Sequence, residues 1–582
     1  MVNAVENALS VERKALQAAG EVPEWYTTGG WQLFKNKYSY HGESVKSRFK
    51  TIADSLAADA PNVYPSWWNV DQFTVGKTWG DVFFEVLWNG WVVPPTPLYS
   101  NGGLPERGHT VSCSQTYMGN NLFDRYNLMT ELAVLTKHAA GCSVDLSEWP
   151  CEGQALPRGG RSEGIMPIVR DILTTMNEVA QTNRRGSTAY SVNARHGDYY
   201  KVLEELYHNP ESNNVGIIHD DQEIKDIWIN KEPSAVKRFA KLAEVKKARG
   251  KGYITKIDHI NRKLAEPFKR LGMTAKASNL CQEVMLPVDA DHTYSCVLLN
   301  YNLHKMDEWP EHLVFIGQVM SDCNITQYLR ALDNVSENDK KVLQKIKRFT
   351  EKFRALGSGV MGLASWFQKK SIVWGSLDSF YENGRIFKHL NKQSLEASKW
   401  LAEVLGEPEG CKGFGIRNAT RLSLPPTKST AELCYGVSEG INPDAALVFT
   451  KMSSGGEVFR IVPELLKLMK ERNVYNDDVL QSINEHKGSV QHVDWLDEHE
   501  KKVFRTAFEI DQHAIVRLAS QRQKEVDQGQ SLNFYFAGNA TPEYQLSVYR
   551  EAMLDDEILT VYYSYSTRGG DFKQPEPCEV CT

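Results

Sequence analysis

From about residue 110 to about residue 460, short β-type runs alternate with helical stretches. Val111-Ser112-Cys113 reads as a short strand, 121–137 as a helix and 141–146 as a strand. A helix over 165–180 and a strand near 189–193 follow. Parallel neighbours need a crossover between them, and a helix is the usual one, so this alternation predicts an α/β architecture with parallel strands. Further on, 234–249 reads as a charged helix with a solvated face, and 337–355 and 457–472 as helices. Before this region, residues 1–90 are helical in pattern and rich in Trp and Tyr. Pro94-Pro95-Thr96-Pro97 and Asn101-Gly102-Gly103 break that pattern. Residues 567–582 carry few apolar groups and read as a mobile tail.

A chain of 582 residues holds two to four ordinary domains, or one large barrel with additions. Its formal charge of -6 argues against a dedicated nucleic-acid surface, so DNA is not an expected partner. There is no run of about 18 apolar residues, so no membrane span is expected. The first 20 residues lack the basic-then-apolar layout of a signal peptide. Ten scattered cysteines do not form a secreted disulfide framework, which predicts a reducing cytoplasm.

The most chemical segment is Asn279-Leu280-Cys281-Gln282-Glu283. It reads as an extended segment, in which the amide, thiol and carboxylate at alternate positions project to one side. One sulfur would then lie between a proton acceptor and a neutral hydrogen-bonding group. Cys113 and Cys296 each sit in a β-like run, 183 residues apart. Adjacent strands of one barrel would bring them together, and closing a disulfide would release two electrons. Taken alone, they read as ordinary strand cysteines.

Cys578-Glu579-Val580-Cys581 is a dithiol near the chain end. No second His/Cys pair lies at zinc-ligand spacing, so no metal site is expected and thiol–disulfide exchange suits the pair better. Tyr562-Tyr563 precedes it. Adjacent tyrosines usually pack on opposite faces, but phenols near a thiol also relay electrons and protons. Pro425-Pro426-Thr427-Lys428-Ser429-Thr430-Ala431 leads into a helical stretch and reads either as an anion cradle or as a simple N-cap. Two Gly/Arg loops, around Arg158 and Arg161 and around Arg184, Arg185, Gly186 and Ser187, suit phosphates or are plain surface turns. No Walker-type phosphate loop is present, which argues against ATP hydrolysis.

The order of these motifs resembles the large (α) subunits of ribonucleotide reductases from about Glu21 onward. Pro94 to Gly103, Ser112-Cys113, Arg184-Arg185-Gly186, Asn279 to Pro287 and Cys296 with Asn302-Leu303 all match. So do Gly357 to Trp366, Pro426 to Ala431, Asp527 to Asn533, Tyr562-Tyr563 and the terminal dithiol. The resemblance implies a ten-stranded α/β barrel over 91–566, with a central finger loop carrying Cys281. It implies a short helical N-terminal region over 1–90 without an ATP-cone, and a redox-active tail over 567–582. Carried over, Cys281 becomes a thiyl radical that removes the ribose 3′ hydrogen. Glu283 accepts the 3′-hydroxyl proton, and Asn279 binds substrate. Cys113 and Cys296 supply the reducing electrons, and Cys578 and Cys581 re-reduce them.

Ser112, Pro426, Thr427, Lys428, Ser429, Thr430 and Ala431 would seat the substrate. Arg158, Arg161, Arg184, Arg185, Gly186 and Ser187 would lie in the loops that read a dNTP or ATP effector, held with Mg2+. Implied partners are a ribonucleotide substrate, thioredoxin or glutaredoxin, and a second copy of the chain when nucleotide is bound. The location would be the cytoplasm, or the host cytoplasm if the chain is viral.

The radical must come from outside Cys281. Tyr562-Tyr563 matches the relay dyad of class I enzymes, whose separate β subunit holds the radical-generating metal. The compact size and terminal dithiol also fit the adenosylcobalamin-dependent class II, which is the alternative; the dyad makes class I the expected class. The glycyl-radical class is disfavoured because it typically lacks the Glu of the Asn-x-Cys-x-Glu loop. An inactive nucleotide-binding paralogue should have lost one of Cys281, Glu283, Cys113 or Cys296, and none is lost. A glycyl-radical lyase of the same barrel needs no external electrons, which leaves the thiol pair and tail dithiol unexplained.

Overall fold

The structure, a computed structural model, describes residues 2–68, 73–138, 140–179, 186–453 and 456–567. The N-terminal part is helical, with helices Val2–Ala18, Thr28–Leu33, Val45–Ala57 and Trp79–Trp88. Ser44 caps the third by accepting from the Ser47 N–H, and Thr78 and Asp81 form a capping box on the fourth. These helices bury Trp25, Tyr26, Phe34, Tyr38, Phe49 and Tyr99 in one aromatic cluster, with the Tyr26 and Tyr99 hydroxyls 2.5 Å apart. This region packs tightly onto the barrel. A Cβ at Gly30 would come 2.8 Å from the Leu433 carbonyl oxygen.

The main sheet has seven strands. Their order is Thr560–Val561, Tyr253–Lys256, Asn214–His219, Thr188–Asn193, Gly141–Asp145, Cys113–Thr116 and Tyr294–Ser295. The inner five are parallel, as the alternation predicted, and the two outermost run antiparallel. Both edges continue along the chain into a second set of strands. Tyr294–Ser295 leads to Leu298–Asn302, which pairs in parallel with Gly357–Met361. Thr560–Val561 leads to Ser564–Ser566, which pairs in parallel with Phe534–Phe536. Single parallel bridges, Ser358 to Leu422 and Leu424 to Gln530, link these pieces. The expected barrel is therefore present as one continuous curled half and one interrupted half.

Two local expectations change. Gly456–Ile461 is a strand paired antiparallel with Val448–Ser453, and the helix begins only at Pro463. The β-branched Val458, Ile461 and Val462 favour a strand, and proline at the first helical position marks the switch. The helix Pro233–Arg249 is not simply a solvated element. It buries Phe239, Leu242 and Val245 and, with them, Lys246. The Lys246 ammonium donates to the carbonyls of Gly252 (2.9 Å) and Tyr562 (3.1 Å), and burial pulls its pKa down to about 7. Among the described residues, no helix is long and apolar enough to cross a membrane.

Candidate active site

The Cys281 segment is a tight turn, which corrects the expectation of an extended strand. The Gln282 N–H donates to the Asn279 carbonyl at 3.0 Å, and the Asn279 N–H to the Val284 carbonyl at 3.0 Å. Gln282 takes φ +65°, a left-handed conformation uncommon for a side chain of its kind. Its side chain helps hold that geometry: Nε2 donates to the Asn279 carbonyl (3.1 Å), and Oε1 accepts from Thr255 Oγ1 (2.9 Å).

A loop threaded through a barrel must find partners for its main-chain groups without water. Here the segment 528–531 and Thr560 supply them. Ser531 Oγ donates to the Cys281 carbonyl at 2.7 Å, and Thr560 Oγ1 to the Gln282 carbonyl at 2.8 Å. The Gly529 N–H donates to the Glu283 carbonyl at 2.8 Å, and Gln528 Oε1 accepts from the Met285 N–H at 3.2 Å.

Asn279 organises the turn. Its Oδ1 accepts from the N–H groups of Glu283 and Val284, both at 2.9 Å, and its Nδ2 lies 3.6 Å from Cys296 Sγ. Glu283 is fully buried, with Ser531 Oγ 3.4 Å from its Oε2. Burial raises its pKa to about 7, partly offset by the Asn279 side chain and Ser531. A carboxyl poised near neutrality is suited to accept and return a proton. The Cys281 sulfur is disulfide-bonded in this structure, so the chemistry argued below belongs to the reduced thiol.

Cys113 and Cys296 are opposite one another. The antiparallel register pairs Ser114 with Ser295, which sets Cys113 across from Cys296. The Cys296 N–H donates to the Cys113 carbonyl at 2.7 Å, and the Ser112 N–H to the Cys296 carbonyl at 3.3 Å. Both cysteines are buried. Burial and the neighbouring Cys113 thiol push Cys296 well above the usual thiol range. Cys296 therefore stays protonated, as a store of hydrogen should.

Tyr562 and Tyr563 are buried with ring centroids 4.2 Å apart. The Tyr562 N–H donates to the Leu532 carbonyl at 2.8 Å, and the Tyr563 N–H to Asn533 Oδ1 at 3.1 Å. The dyad therefore hangs on the same 528–533 segment that clamps the Cys281 turn. Cys113, Cys281, Cys296, Tyr562 and Tyr563 all belong to one buried cluster.

The loop after Leu424 begins with Pro425 and Pro426, and Thr427 takes φ +50° before the short helix Lys428–Leu433. Thr427 Oγ1 accepts from the Gly440 N–H at 2.7 Å, Thr430 Oγ1 donates to the Thr427 carbonyl at 3.0 Å, and so does the Ala431 N–H at 2.8 Å. Ser429 Oγ accepts from Lys37 Nζ at 3.4 Å, a contact from the N-terminal region that the motif did not suggest.

Arg158 and Arg161 are exposed on a loop that Arg161 closes by donating to the Gly153 carbonyl at 2.8 Å. Gly186 packs where a Cβ would come 2.6 Å from Thr136 Cγ2, and the Ser187 carbonyl accepts from the Cys142 N–H at 3.0 Å. Arg184, Arg185, Cys578 and Cys581 lie outside the described residues. Sequence reasoning missed Thr255, Gln282, Ser531 and Thr560 as supports of the turn. The polar run Gln528-Gly529-Gln530-Ser531 beside apolar strand residues was the available signal.

Fold and site together define an α/β barrel built around buried sulfur. The family model described as the ribonucleotide reductase barrel domain matches residues 199–411 and 408–563. The chain belongs to the ribonucleotide reductase large-subunit family. It is 28% identical over 530 residues to a Frog virus 3 protein named as a ribonucleoside-diphosphate reductase large subunit, covering 85% of this chain and 90% of that one. It is 32% identical over 352 residues to the ribonucleoside-diphosphate reductase large subunit of Invertebrate iridescent virus 3, covering 57% of this chain and 54% of that one. Among solved structures, the class Id ribonucleotide reductase alpha subunit of Actinobacillus ureae superposes with a TM-score of 0.83 at 28% identity. That match covers 94% of this chain and 98% of the other.

Proposed function

We propose that this chain is the catalytic subunit of a class I ribonucleoside-diphosphate reductase. The observation that carries the reading is the convergence of Cys113, Cys281, Cys296 and Glu283 in one dry centre, with a tyrosine pair in the same cluster. The reduced Cys281 thiol, once oxidised by one electron with loss of its proton, removes the 3′ hydrogen of the ribose. Glu283 takes the 3′-hydroxyl proton, and Asn279 orients the substrate. The C2′–O bond breaks and the 2′ oxygen leaves as water on a proton from one thiol of the Cys113 and Cys296 pair; C2′ gains the second thiol hydrogen, and the pair, having given two electrons in all, closes as a disulfide. Cys281 then returns the hydrogen to C3′, and Glu283 returns its proton. In sum, a ribonucleotide and a dithiol give a 2′-deoxyribonucleotide, a disulfide and water.

Cys578 and Cys581 would re-reduce the pair and be reduced in turn by thioredoxin or glutaredoxin. Ser112 and the 426–431 loop would seat the sugar and phosphates. The loops at 158–161 and 184–187 would answer to a dNTP or ATP effector with Mg2+, in a homodimer formed when nucleotide binds. The division into 1–90, 91–566 and 567–582 belongs to the same proposal, as does a cytoplasmic location. The oxidising equivalent would come from a separate metal-containing subunit by way of Tyr563 and Tyr562. The test is reduction of a cytidine nucleotide with dithiothreitol and a dNTP effector, with a radical-bearing small subunit in one arm and adenosylcobalamin in the other. Turnover only with the small subunit supports this reading. Turnover with adenosylcobalamin alone would replace it with class II and leave Tyr562 and Tyr563 as packing residues.

A further inference from the structure

The dyad is part of a longer column of phenols. The Tyr563 ring lies 5.5 Å from Tyr565, with planes 23° apart, and Tyr565 lies 5.0 Å from Tyr535, with planes 25° apart. Tyr535 meets Phe508 edge-on at 5.6 Å. The pairing is built into the sheet, because Tyr565 and Tyr535 are register partners in the parallel pair Ser564–Ser566 and Phe534–Phe536. Exposure rises along the column: Tyr562 and Tyr563 are 2% and 1% exposed, Tyr565 and Tyr535 are 5% and 6%, and Phe508 is half-buried. All four tyrosines belong to the buried cluster that holds Cys281, and the partly buried Phe508 packs against its Tyr535 end.

Phenylalanine would fill nearly the same space at these positions, and the Tyr535 hydroxyl is kept in the buried cluster by a hydrogen bond with the Asn533 side chain. We propose that Tyr535 and Tyr565 extend the radical relay, so that the oxidising equivalent enters through them before reaching Tyr563 and Tyr562. This rests on the class I reading above. In each hop the donor phenol loses one electron and one proton and becomes a neutral phenoxyl, and the acceptor phenoxyl regains both. The first oxidant is the one-electron oxidant held by the metal-containing partner subunit, and the last donor is the reduced Cys281 thiol. The Tyr535 end sits in a negative field. Glu439 and Asp444 lie close enough to Tyr535 to add to the effect of burial in raising its phenol above the usual range, and Asp444 itself is raised to about 6 by burial.

The test uses the full chain with its radical-bearing small subunit, substrate and effector. 3-Aminotyrosine, which is oxidised more easily than tyrosine and traps the radical, is placed singly at 535, 565 and 562. The expected result is an aminotyrosyl radical by electron paramagnetic resonance at all three positions. Turnover should also fall at least tenfold in Tyr565→Phe, with nucleotide affinity unchanged. A radical at 562 but not at 565, with full turnover in Tyr565→Phe and Tyr535→Phe, would overturn the extension while leaving the class I reading intact. A radical at none of the three positions would overturn both.

Discussion

The side chain of Asn279 connects the Cys281 turn to Cys296, with Nδ2 3.6 Å from Cys296 Sγ while Oδ1 holds two main-chain N–H groups of the turn. One amide thus fixes both the shape of the loop and its distance from a reducing thiol. Asn279→Ala strands two buried N–H groups, each costing about 1–3 kcal/mol. The expected loss is about 2–6 kcal/mol in denaturant unfolding, together with loss of turnover. Asn279→Ala with unchanged stability would show that the turn does not depend on it.

Glu283 carries a pH prediction. Its carboxyl titrates at about 7 in the folded chain against 4.5 ordinarily. Below about pH 7 it keeps its proton and cannot act as a base, so kcat/KM should rise with pH through that point. Glu283→Gln should lower turnover by about 10²–10⁴-fold and remove this rise. The folded state also binds a proton that the unfolded chain releases near 4.5. Its contribution to stability is therefore complete below that pH and lost as pH rises through about 7.

The facing thiols predict a stoichiometry. With no external reductant, each deoxynucleotide formed should consume two thiols, counted by a chromogenic thiol reagent after denaturation. Cys113→Ser and Cys296→Ser should each stop turnover without loss of nucleotide binding. Sustained product formation by either variant would remove the pair from the reaction.

Away from the site, Asp322 bridges Arg354 and Arg417, each with a 2.8 Å bond to one carboxylate oxygen. Burial raises the carboxyl, but the two guanidinium groups outweigh it and hold it at about 2. The lowered pKa means a stabilisation present above the ordinary 3.8 and lost as pH falls through about 2. Asp322→Asn leaves the buried Arg354 and the half-buried Arg417 short of their partner and should cost about 3–5 kcal/mol by chemical denaturation.

The parallel half of the barrel was legible because each strand is followed by a helical stretch with its own punctuation. The cysteines were legible as chemistry but not as geometry. Nothing local in 183 residues of separation brings Cys113 to Cys296; the Ser114–Ser295 register does. The turn at Cys281 is not legible locally, because its bonds run through the Asn279 side chain and the carbonyls it leaves over are satisfied by Ser531 and Thr560, far along the chain. Lys246 looked like one more charge on a solvated helix, since only tertiary packing sets the Tyr562 carbonyl against its ammonium. The strand Gly456–Ile461 was lost by treating the apolar run through Pro463 as one helix, although proline opens a helix there.

The measurement that bears most directly on the account is deoxynucleotide formation from a cytidine nucleotide by the wild-type chain and by Cys281→Ser, each with a radical-bearing small subunit, effector and dithiothreitol. The account predicts product from the wild type and none from Cys281→Ser, with both binding nucleotide equally. Product from Cys281→Ser at the wild-type rate would contradict it.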